Sequence, residues 1–583
     1  MRLLFDIETD SVEATKLWCI VAKDIDTNQL YIFGPDQLHE GCTLLNKADE
    51  LIGHNIIGFD IPAIESLTTF TNLSEGKKIT DTLVLSRLFR PSRESGHGLN
   101  PWGTRLGFKK IEFENFETFS SEMLDYCIQD VELNHRVYNA LKEESKGFSK
   151  DSVELEHEVY KIIKDQQHKG FYYNAYESDL LLAELREQTS KIEDEVKKVF
   201  KPKVTSVKLI PKYTKTGKLS KLADTEHGKG VRMTEQEYNS MLAEEEVCRV
   251  DVVEFNLNSR QQTGEYLIEF GWKPKEFTPN GRPIVNEKTL SKIKNIKEAD
   301  LINSYLMLQK RVSQIESWNK FVGDDNRVHG WVITNGAITG RMTHRDPNMA
   351  QVPACSSPYG KECRSLWTVP NGYKLVGIDA SGLELRMLAH YMNDEEYTNE
   401  ILNGDIHTAN QKLAGLESRS QAKTFIYALL YGAGDAKLGA VVGRGREAGK
   451  RLRESFFASL PSFKNLKDRV SRASARGYLK GLDGRKLLVR SEHSALNTLL
   501  QGAGAIVMKR ALIIFNNKIK ARGLEAQFVA NVHDEWQLEV REDQADEVGK
   551  LGVQSIREVT CAFELTCPLD GEYNVGNNWA ETH

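Results

Sequence analysis

The chain lacks the features that would tie it to a membrane or to an oxidising compartment. No run approaches the ~18–20 consecutive apolar residues of a spanning helix, and the start Met1-Arg2-Leu3-Leu4-Phe5-Asp6 has no signal-peptide core. The eight cysteines (Cys19, Cys42, Cys127, Cys248, Cys355, Cys363, Cys561 and Cys567) form no C-x-x-C pair and no Cys/His spacing that suits zinc. A disulfide framework and a zinc module are therefore not expected, and a reduced, cytoplasmic location without membrane attachment is. Fixed-period repeats and low-complexity tracts are missing too, which argues against a solenoid or a disordered array. Large net charge is also absent. At −6 over 583 residues, any nucleic-acid binding must rest on local clusters of cations and not on bulk charge.

What is present is ordinary globular composition, 40% apolar and 27% charged, in a chain long enough for about four domains. Four regimes follow one another. Residues up to about 145 alternate short apolar strands with helices. Residues 150–200 read as one long, charged amphipathic helix. Residues 201–257 are Lys-rich, then acidic and irregular, and 201–232 holds nine Lys/Arg against Asp224 and Glu226. The remainder is strongly α/β. The second and third regimes suggest a helical element with an insertion at its tip, whose cations should meet phosphate or form a solvated loop.

Near the amino terminus, Leu3-Leu4-Phe5-Asp6-Ile7-Glu8 reads as a strand whose period of two puts Asp6 and Glu8 on one face. Asp60 follows in Gly53-His54-Asn55-Ile56-Ile57-Gly58-Phe59-Asp60, and Tyr126 and Asp130 lie i,i+4 on a helical pattern. Four carboxylates and a phenol suit two-metal phosphodiester hydrolysis, with the acids holding cations and the phenol orienting water. The ordered set resembles the tyrosine-bearing DEDD 3′→5′ exonucleases, and Asp81-Thr82-Leu83-Val84-Leu85 resembles the element between their second and third motifs. The resemblance implies a ribonuclease-H-like fold and an active nuclease.

Further on, the strand Leu375-Val376-Gly377-Ile378-Asp379 leads into a helix from about Leu383, and Gln527–Val540 reads as a hairpin with His533 and Asp534 near its tip. Between them Arg419, Lys423, Tyr427 and Tyr431 recur at i,i+4 on a helix whose other faces carry Phe425, Ile426, Leu429 and Leu430. Two acids can hold a pair of divalent ions roughly 3.5–4 Å apart, one activating a primer 3′-hydroxyl and one steadying pyrophosphate. The cationic helix can grip a triphosphate, arginine as a fork and lysine as a point charge.

These stretches resemble motifs A, B and C of family A DNA polymerases. Asp379, Ser381, Glu384 and Arg386 match D-x-S-x-x-E-x-R, and His533, Asp534 and Glu535 match H-D-E. By resemblance, Glu384 excludes a ribose 2′-hydroxyl, and Tyr427 stands where tyrosine goes with acceptance of dideoxynucleotides. His407 meets the β-phosphate, while Arg341, Gln351, Asn497, Gln501 and His533 contact primer-template DNA. The implied architecture is α/β multidomain, with a ribonuclease-H-like exonuclease domain (1–145) followed by a right-hand polymerase. Its parts would be thumb and connecting helices with the basic insertion 201–257 (146–335), first palm part (336–400), fingers (401–490) and second palm part (491–583).

The match is nearest to the replicative polymerases of short-tailed phages, through Lys423-Thr424-Phe425-Ile426-Tyr427, Gly481-Leu482-Asp483-Gly484-Arg485-Lys486 and Asn578-Trp579-Ala580-Glu581-Thr582-His583. It implies two Mg²⁺ per active site, with Mn²⁺ as a substitute, and dNTPs and primer-template DNA as ligands. It also implies a helicase-primase and a single-strand-binding protein as companions in an infected bacterium. Host thioredoxin or another processivity factor at 201–257 stays open, because that insertion looks short. Two rivals remain: a single-subunit RNA polymerase, and a nuclease with a structural nucleic-acid-binding carboxy-terminal part.

Overall fold

The computed structural model describes the chain at all residues except 226, 227 and 229. It forms two compact units, one of Met1–Asn174 with Phe321–His583 and one of Ala175–Lys320.

In the first unit the amino-terminal residues build a five-stranded sheet in the spatial order Leu30–Phe33, Leu17–Asp24, Arg2–Thr9, Glu50–Gly53, Lys78–Asp81. The first three strands are antiparallel and the last two join in parallel. The central strand Arg2–Thr9 is covered on both faces, as its near-continuous apolar run requires. Leu3, Phe5 and Ile7 pack against the helices Leu38–Asn46 and Asp60–Leu67. Leu4 packs on the opposite face with Cys127 and Val131 of the helix Ser121–Glu144. The period of two therefore turns Asp6 and Glu8 toward that second helix.

The carboxy-terminal part holds an antiparallel sheet in the order Ala526–Val532, Glu535–Arg541, Tyr373–Ala380, Gly571–Gly576. The helices Ala495–Ala521 and Ala545–Ala562 are built into the same core. Ala495–Ala521 is long and apolar enough to cross a membrane by length and composition, yet most of it is buried within the protein. Its Leu500, Ala503, Val507, Ala511 and Phe515 belong to the core cluster, which accounts for its composition.

A buried charge network joins distant pieces of this unit. Glu156, on the helix Lys150–Lys169, accepts from Lys509 Nζ at 2.6 and 2.9 Å and from Arg485 Nη1 at 2.6 Å. Arg485 Nε donates to Asp483 at 2.8 Å. Two acids face two cations, so the groups are compensated although all four are almost fully buried. Lys509 and Arg485 pull the Glu156 carboxyl below its ordinary value against the upward push of burial.

The long helix expected over 150–200 is two helices, Lys150–Lys169 and Ala175–Val199. The break falls at Gly170, whose φ of 67° leaves the helical region. Phe171–Tyr172 then pairs with Arg327–Val328. A charge-rich pattern on both sides hides this interruption, which spans only Gly170 to Asn174.

In the second unit the helices Ala175–Val199 and Lys297–Asn319 run antiparallel, tied by Ser178–Asn319 and Arg186–Glu316 contacts of 2.7 Å each. The stretch read as irregular is instead a four-stranded sheet in the order Cys248–Val253, Lys203–Tyr213, Leu219–Thr225, Gly230–Arg232. Leu209, Ala223, Met233 and Val247 form its small core. Lysines at wet positions mask the alternation. Several are neutralised: Lys203 pairs with Glu269, Lys208 with Glu246 at 2.7 Å and Lys212 with Asp224 at 2.6 Å. The charge free to meet phosphate is therefore smaller than the residue count suggested, and Glu226 and Lys229 of that count lie outside the described residues.

Candidate active sites

The amino-terminal acids converge from three elements onto a cavity of about 1040 Å³ lined by Asp6, Glu8, Asp60, Tyr126 and Asp130. Asp6 and Glu8 project from the central strand. Asp60 opens the helix Asp60–Leu67 and accepts from the Ile7 amide at 3.3 Å, which pins it beside that strand. The turn that leads to Asp60 is held by Asp81, fully buried, which accepts from the amides of Asn55 at 2.9 Å, Ile57 at 3.1 Å and Leu83 at 2.9 Å. Asp81 is thus a positioning group, and it also caps the helix Thr82–Phe89.

Burial and mutual repulsion dominate the electrostatics here. Burial raises the Asp6 carboxyl well above the carboxylate range, with Asp60, Glu8 and Asp130 adding to it. Glu8 is pushed up to about 9 and Asp60 to about 7, burial being the first cause of each. Such a set favours a bound cation. Asp6, Glu8 and Cys127 offer ligand atoms within 4.8 Å of one another. The Asp130 Oδ1 is buried without a hydrogen-bond partner. A crowded acid set with an unpartnered oxygen fits divalent cations, which take oxygen ligands.

Sequence reasoning missed Lys110. Its ammonium pairs with Asp130 and sits 4.4 Å from the centre of the Tyr126 ring. Burial opposes its charge, but Asp130 raises its pKa above the ordinary lysine value. Tyr126 packs against Phe113 and Phe116 at 5.5 and 5.9 Å. No local pattern marks Lys110, because its partners lie on the helix Ser121–Glu144.

The second cluster gathers at one end of the carboxy-terminal sheet. Asp379, at the end of Tyr373–Ala380, has Glu535 and Glu572 as cross-strand neighbours. Asp534 lies in the two-residue turn between Ala526–Val532 and Glu535–Arg541, where His533 takes a left-handed φ of 59°. The Ala380 amide donates to the Asp534 carbonyl at 3.1 Å, so the hairpin tip docks on the strand that carries Asp379. Burial, then the charges of Asp534 and Glu535, push the Asp379 carboxyl up to about 7. This cluster also fits a cation. Glu535 itself is engaged, accepting from Trp579 Nε1 at 2.5 Å and Gln537 Nε2 at 2.6 Å.

The helix Arg419–Leu430 buries Ala422, Phe425, Ile426, Leu429 and Leu430 and leaves Arg419 and Lys423 exposed, with Tyr427 half-buried. Tyr431 follows directly as the capping residue, its ring 6.2 Å from that of Tyr427. Arg419 is held by Asp405 at 2.6 Å, and the His407 ring lies 6.3 Å from Tyr427. Glu384, on the first turn of Leu383–Met392, accepts from the Tyr431 hydroxyl at 3.0 Å and from Arg341 at 3.1 Å. These contacts link the strand connection around Arg341 to the end of the helix Arg419–Leu430, a coupling the sequence did not reveal. Asn497 and Gln501 share one face of Ala495–Ala521, half-buried, while Gln351 and His533 are exposed.

Comparison with known proteins gives a consistent picture. The model of DNA polymerase family A matches residues 228–581. The DNA-directed DNA polymerase of Enterobacteria phage T3 is 32% identical over the whole of both chains, and that of Escherichia phage T7 is likewise 32% identical over the whole of both. The DNA-directed DNA polymerase of Escherichia phage Phieco32 is 39% identical over 45% of this chain and 48% of that one. Among solved structures, the polymerase domain of Pol1 from M. smegmatis, in complex with DNA primer-template and dNTP, superposes with a TM-score of 0.78. It covers 100% of this chain and 95% of that one at 19% identity, a likeness of fold.

Proposed function

Because the chain belongs to DNA polymerase family A and is a DNA-directed DNA polymerase, we propose that its two carboxylate clusters are separate centres, one for primer extension and one for 3′→5′ proofreading. The observation that carries this reading is the pairing of Asp379 with the Asp534 hairpin, together with the reach of the Asp534 charge to Tyr427 on the helix Arg419–Leu430. Asp379 and Asp534 would hold two divalent cations, Mg²⁺ or Mn²⁺, which when bound neutralise charge on the reacting phosphates. Lys423, Arg419 and His407 bind the triphosphate of an incoming dNTP. Tyr427 and Tyr431 stack near its base and sugar, and Glu384, fixed by Tyr431 and Arg341, closes the space beneath the sugar. Arg341, Gln351, Asn497, Gln501 and His533 hold primer-template DNA through minor-groove acceptors that are nearly independent of sequence.

At the amino-terminal centre, Asp6, Glu8, Asp60 and Asp130 would hold the cations, and Tyr126 orients the attacking water. Lys110 keeps Asp130 compensated in the cation-free state. The full-length match to phage enzymes supports action in an infected bacterium; a helicase-primase and a single-strand-binding protein are the companions this reading adds. Residues 1–145, 146–335, 336–400, 401–490 and 491–583 then serve as exonuclease, thumb with connecting helices, first palm part, fingers and second palm part. The insertion 201–257 is the place for a processivity factor such as thioredoxin.

Extension of a 5′-labelled primer on a longer DNA template with Mg²⁺, using dNTPs, no nucleotide, or rNTPs, tests the whole reading. Growth with dNTPs and shortening without them is expected. Growth with rNTPs alone would refute the substrate choice, and a primer that never shortens would refute proofreading.

A further inference from the structure

The hairpin that carries Asp534 is seated on side chains far from it in the sequence. Asn531 stands three residues before Asp534 on the strand Ala526–Val532. Its Nδ2 donates to the Oε1 of Gln166 at 2.5 Å, and both residues are only 5% exposed. Gln166 lies near the carboxyl end of the helix Lys150–Lys169. The same helix grips the hairpin farther from its tip, where Lys169 Nζ pairs with the buried Glu539 at 2.7 Å. A second group, His344 of the strand Thr343–Arg345, bonds the Asn531 backbone. Burial lowers that ring to about 4, with the charge of His533 adding to the shift and the Asn531 bond opposing it.

The backbone around Asn531 needs such support. Strand pairing slips between Phe528 and Ala530 on one side of it, and on the other His533 takes a left-handed φ of 59°. A bulge disrupts the ladder and bends the strand, so the ladder alone does not fix the direction of the tip. The Ala380 amide ties the tip to the strand of Asp379, while Gln166 ties down the strand that leads into it. Breaking the Gln166–Asn531 bond is costly, because the group left behind is buried. Asp379 feels the Asp534 charge, and a small displacement of the tip alters the spacing of two acids that must meet the same cations.

We propose that Gln166 is a positioning residue for nucleotidyl transfer: by holding Asn531 it sets where Asp534 stands relative to Asp379. The proposal rests on the reading of Asp379 and Asp534 as the primer-extension centre. Gln166 acts on that centre through Asn531, so its effect falls on the rate of the chemical step and not on capture of the nucleotide.

The test is single-turnover incorporation of one dNTP by the full chain on a primer-template at saturating Mg²⁺. It yields the rate at saturating dNTP and the half-saturating dNTP concentration separately. With enzyme in excess, the rate does not depend on the fraction of enzyme that is folded, so destabilisation alone does not move it. Gln166→Met keeps the side-chain length and removes the acceptor, Asn531→Leu removes the donor, and the double variant closes the cycle. Lys169→Met loosens the same helix from the far part of the hairpin while Arg327 still pairs with Glu539 at 2.9 Å, and so controls for packing. Gln166→Met and Asn531→Leu should each slow incorporation about tenfold. Half-saturating dNTP, and primer-template affinity read by fluorescence anisotropy, should stay within about threefold of wild type. The double variant should be no slower than the slower single one, since independent sites would instead multiply to about a hundredfold loss. Lys169→Met should stay within about twofold of the wild-type rate. A Gln166→Met rate within about twofold of wild type would overturn the proposal. So would equal slowing by Lys169→Met, multiplied losses in the double variant, or a defect confined to half-saturating dNTP. An Asp534→Ala protein that still extends primers would overturn the reading of the centre itself, a result obtained before any Gln166 variant is compared.

Discussion

Replacing Asp379 by asparagine is expected to end DNA synthesis while making the cation-free protein more stable. Burial first, then Asp534 and Glu535, hold the Asp379 carboxyl at about 7 against an ordinary 3.8. A displacement of about 3 units at ~1.4 kcal/mol each corresponds to about 4 kcal/mol. Partial exposure and solvent screening reduce this to about 2 kcal/mol. The folded chain holds this proton more tightly than the unfolded chain, so wild-type stability falls as pH rises from about 4 to about 7 and then levels off. The gain from Asp379→Asn should therefore be about 2 kcal/mol at pH 8.5 and about half that at pH 5.5. Urea unfolding in EDTA, with midpoints compared at the two pH values, should displace the variant by several tenths of a molar at pH 8.5. Added Mg²⁺ should then stabilise the wild type more than the variant, since the ion binds only the folded acid pair. A variant no more stable than wild type at pH 8.5, or a gain that does not shrink at pH 5.5, would refute the claim that Asp379 is held in a repulsive site.

Other expectations follow from single contacts. Asp534→Ala should abolish primer extension yet leave 3′→5′ degradation of single strands, and Asp6→Ala should do the converse, both read from a labelled primer; loss of both activities in either folded variant would contradict separate centres. Glu156→Gln leaves Arg485 and Lys509 facing one acid instead of two, so urea unfolding at pH 7 should report a loss of about 3–5 kcal/mol. Because the Glu156 carboxyl is lowered in the folded chain, that stabilisation is full above the ordinary glutamate value and fades as pH falls through the folded one. A loss under about 1 kcal/mol would mean the network is not coupled. Tyr427→Phe should raise discrimination against dideoxynucleotides, measured as termination frequency at fixed nucleotide ratios, and an unchanged pattern would remove Tyr427 from that role.

Local patterns carried much of both candidate sites. The alternation in Leu3-Leu4-Phe5-Asp6-Ile7-Glu8 put two acids on one face, and the strand separates Leu3, Phe5 and Ile7 from Leu4 as a period of two demands. The i,i+4 series on Arg419–Leu430 left its cations and Tyr427 on the side opposite Phe425 and Leu429. The hairpin tip at His533 and Asp534 was visible because a tight turn between two apolar strands leaves a strong trace. The interruption at Gly170 was not visible, since one glycine in a charged amphipathic run does not reveal that the next two residues pair with a strand at Arg327–Val328. The sheet of 203–253 was hidden for a related reason: lysines on its wet positions imitate a loop.

The sequence by itself determined which acids, cations and aromatics exist, and on which face of its own strand or helix each stands, because backbone geometry repeats every two or 3.6 residues whatever the surroundings. Only the tertiary structure decided which of those faces meet. It brought Asp534 beside Asp379, set Lys110 between Asp130 and Tyr126, tied Glu384 to Arg341 and Tyr431, and seated Asn531 against Gln166. Those partnerships join residues far apart in the chain, and their energies arise from burial and proximity, quantities that exist only once the cores have closed around them.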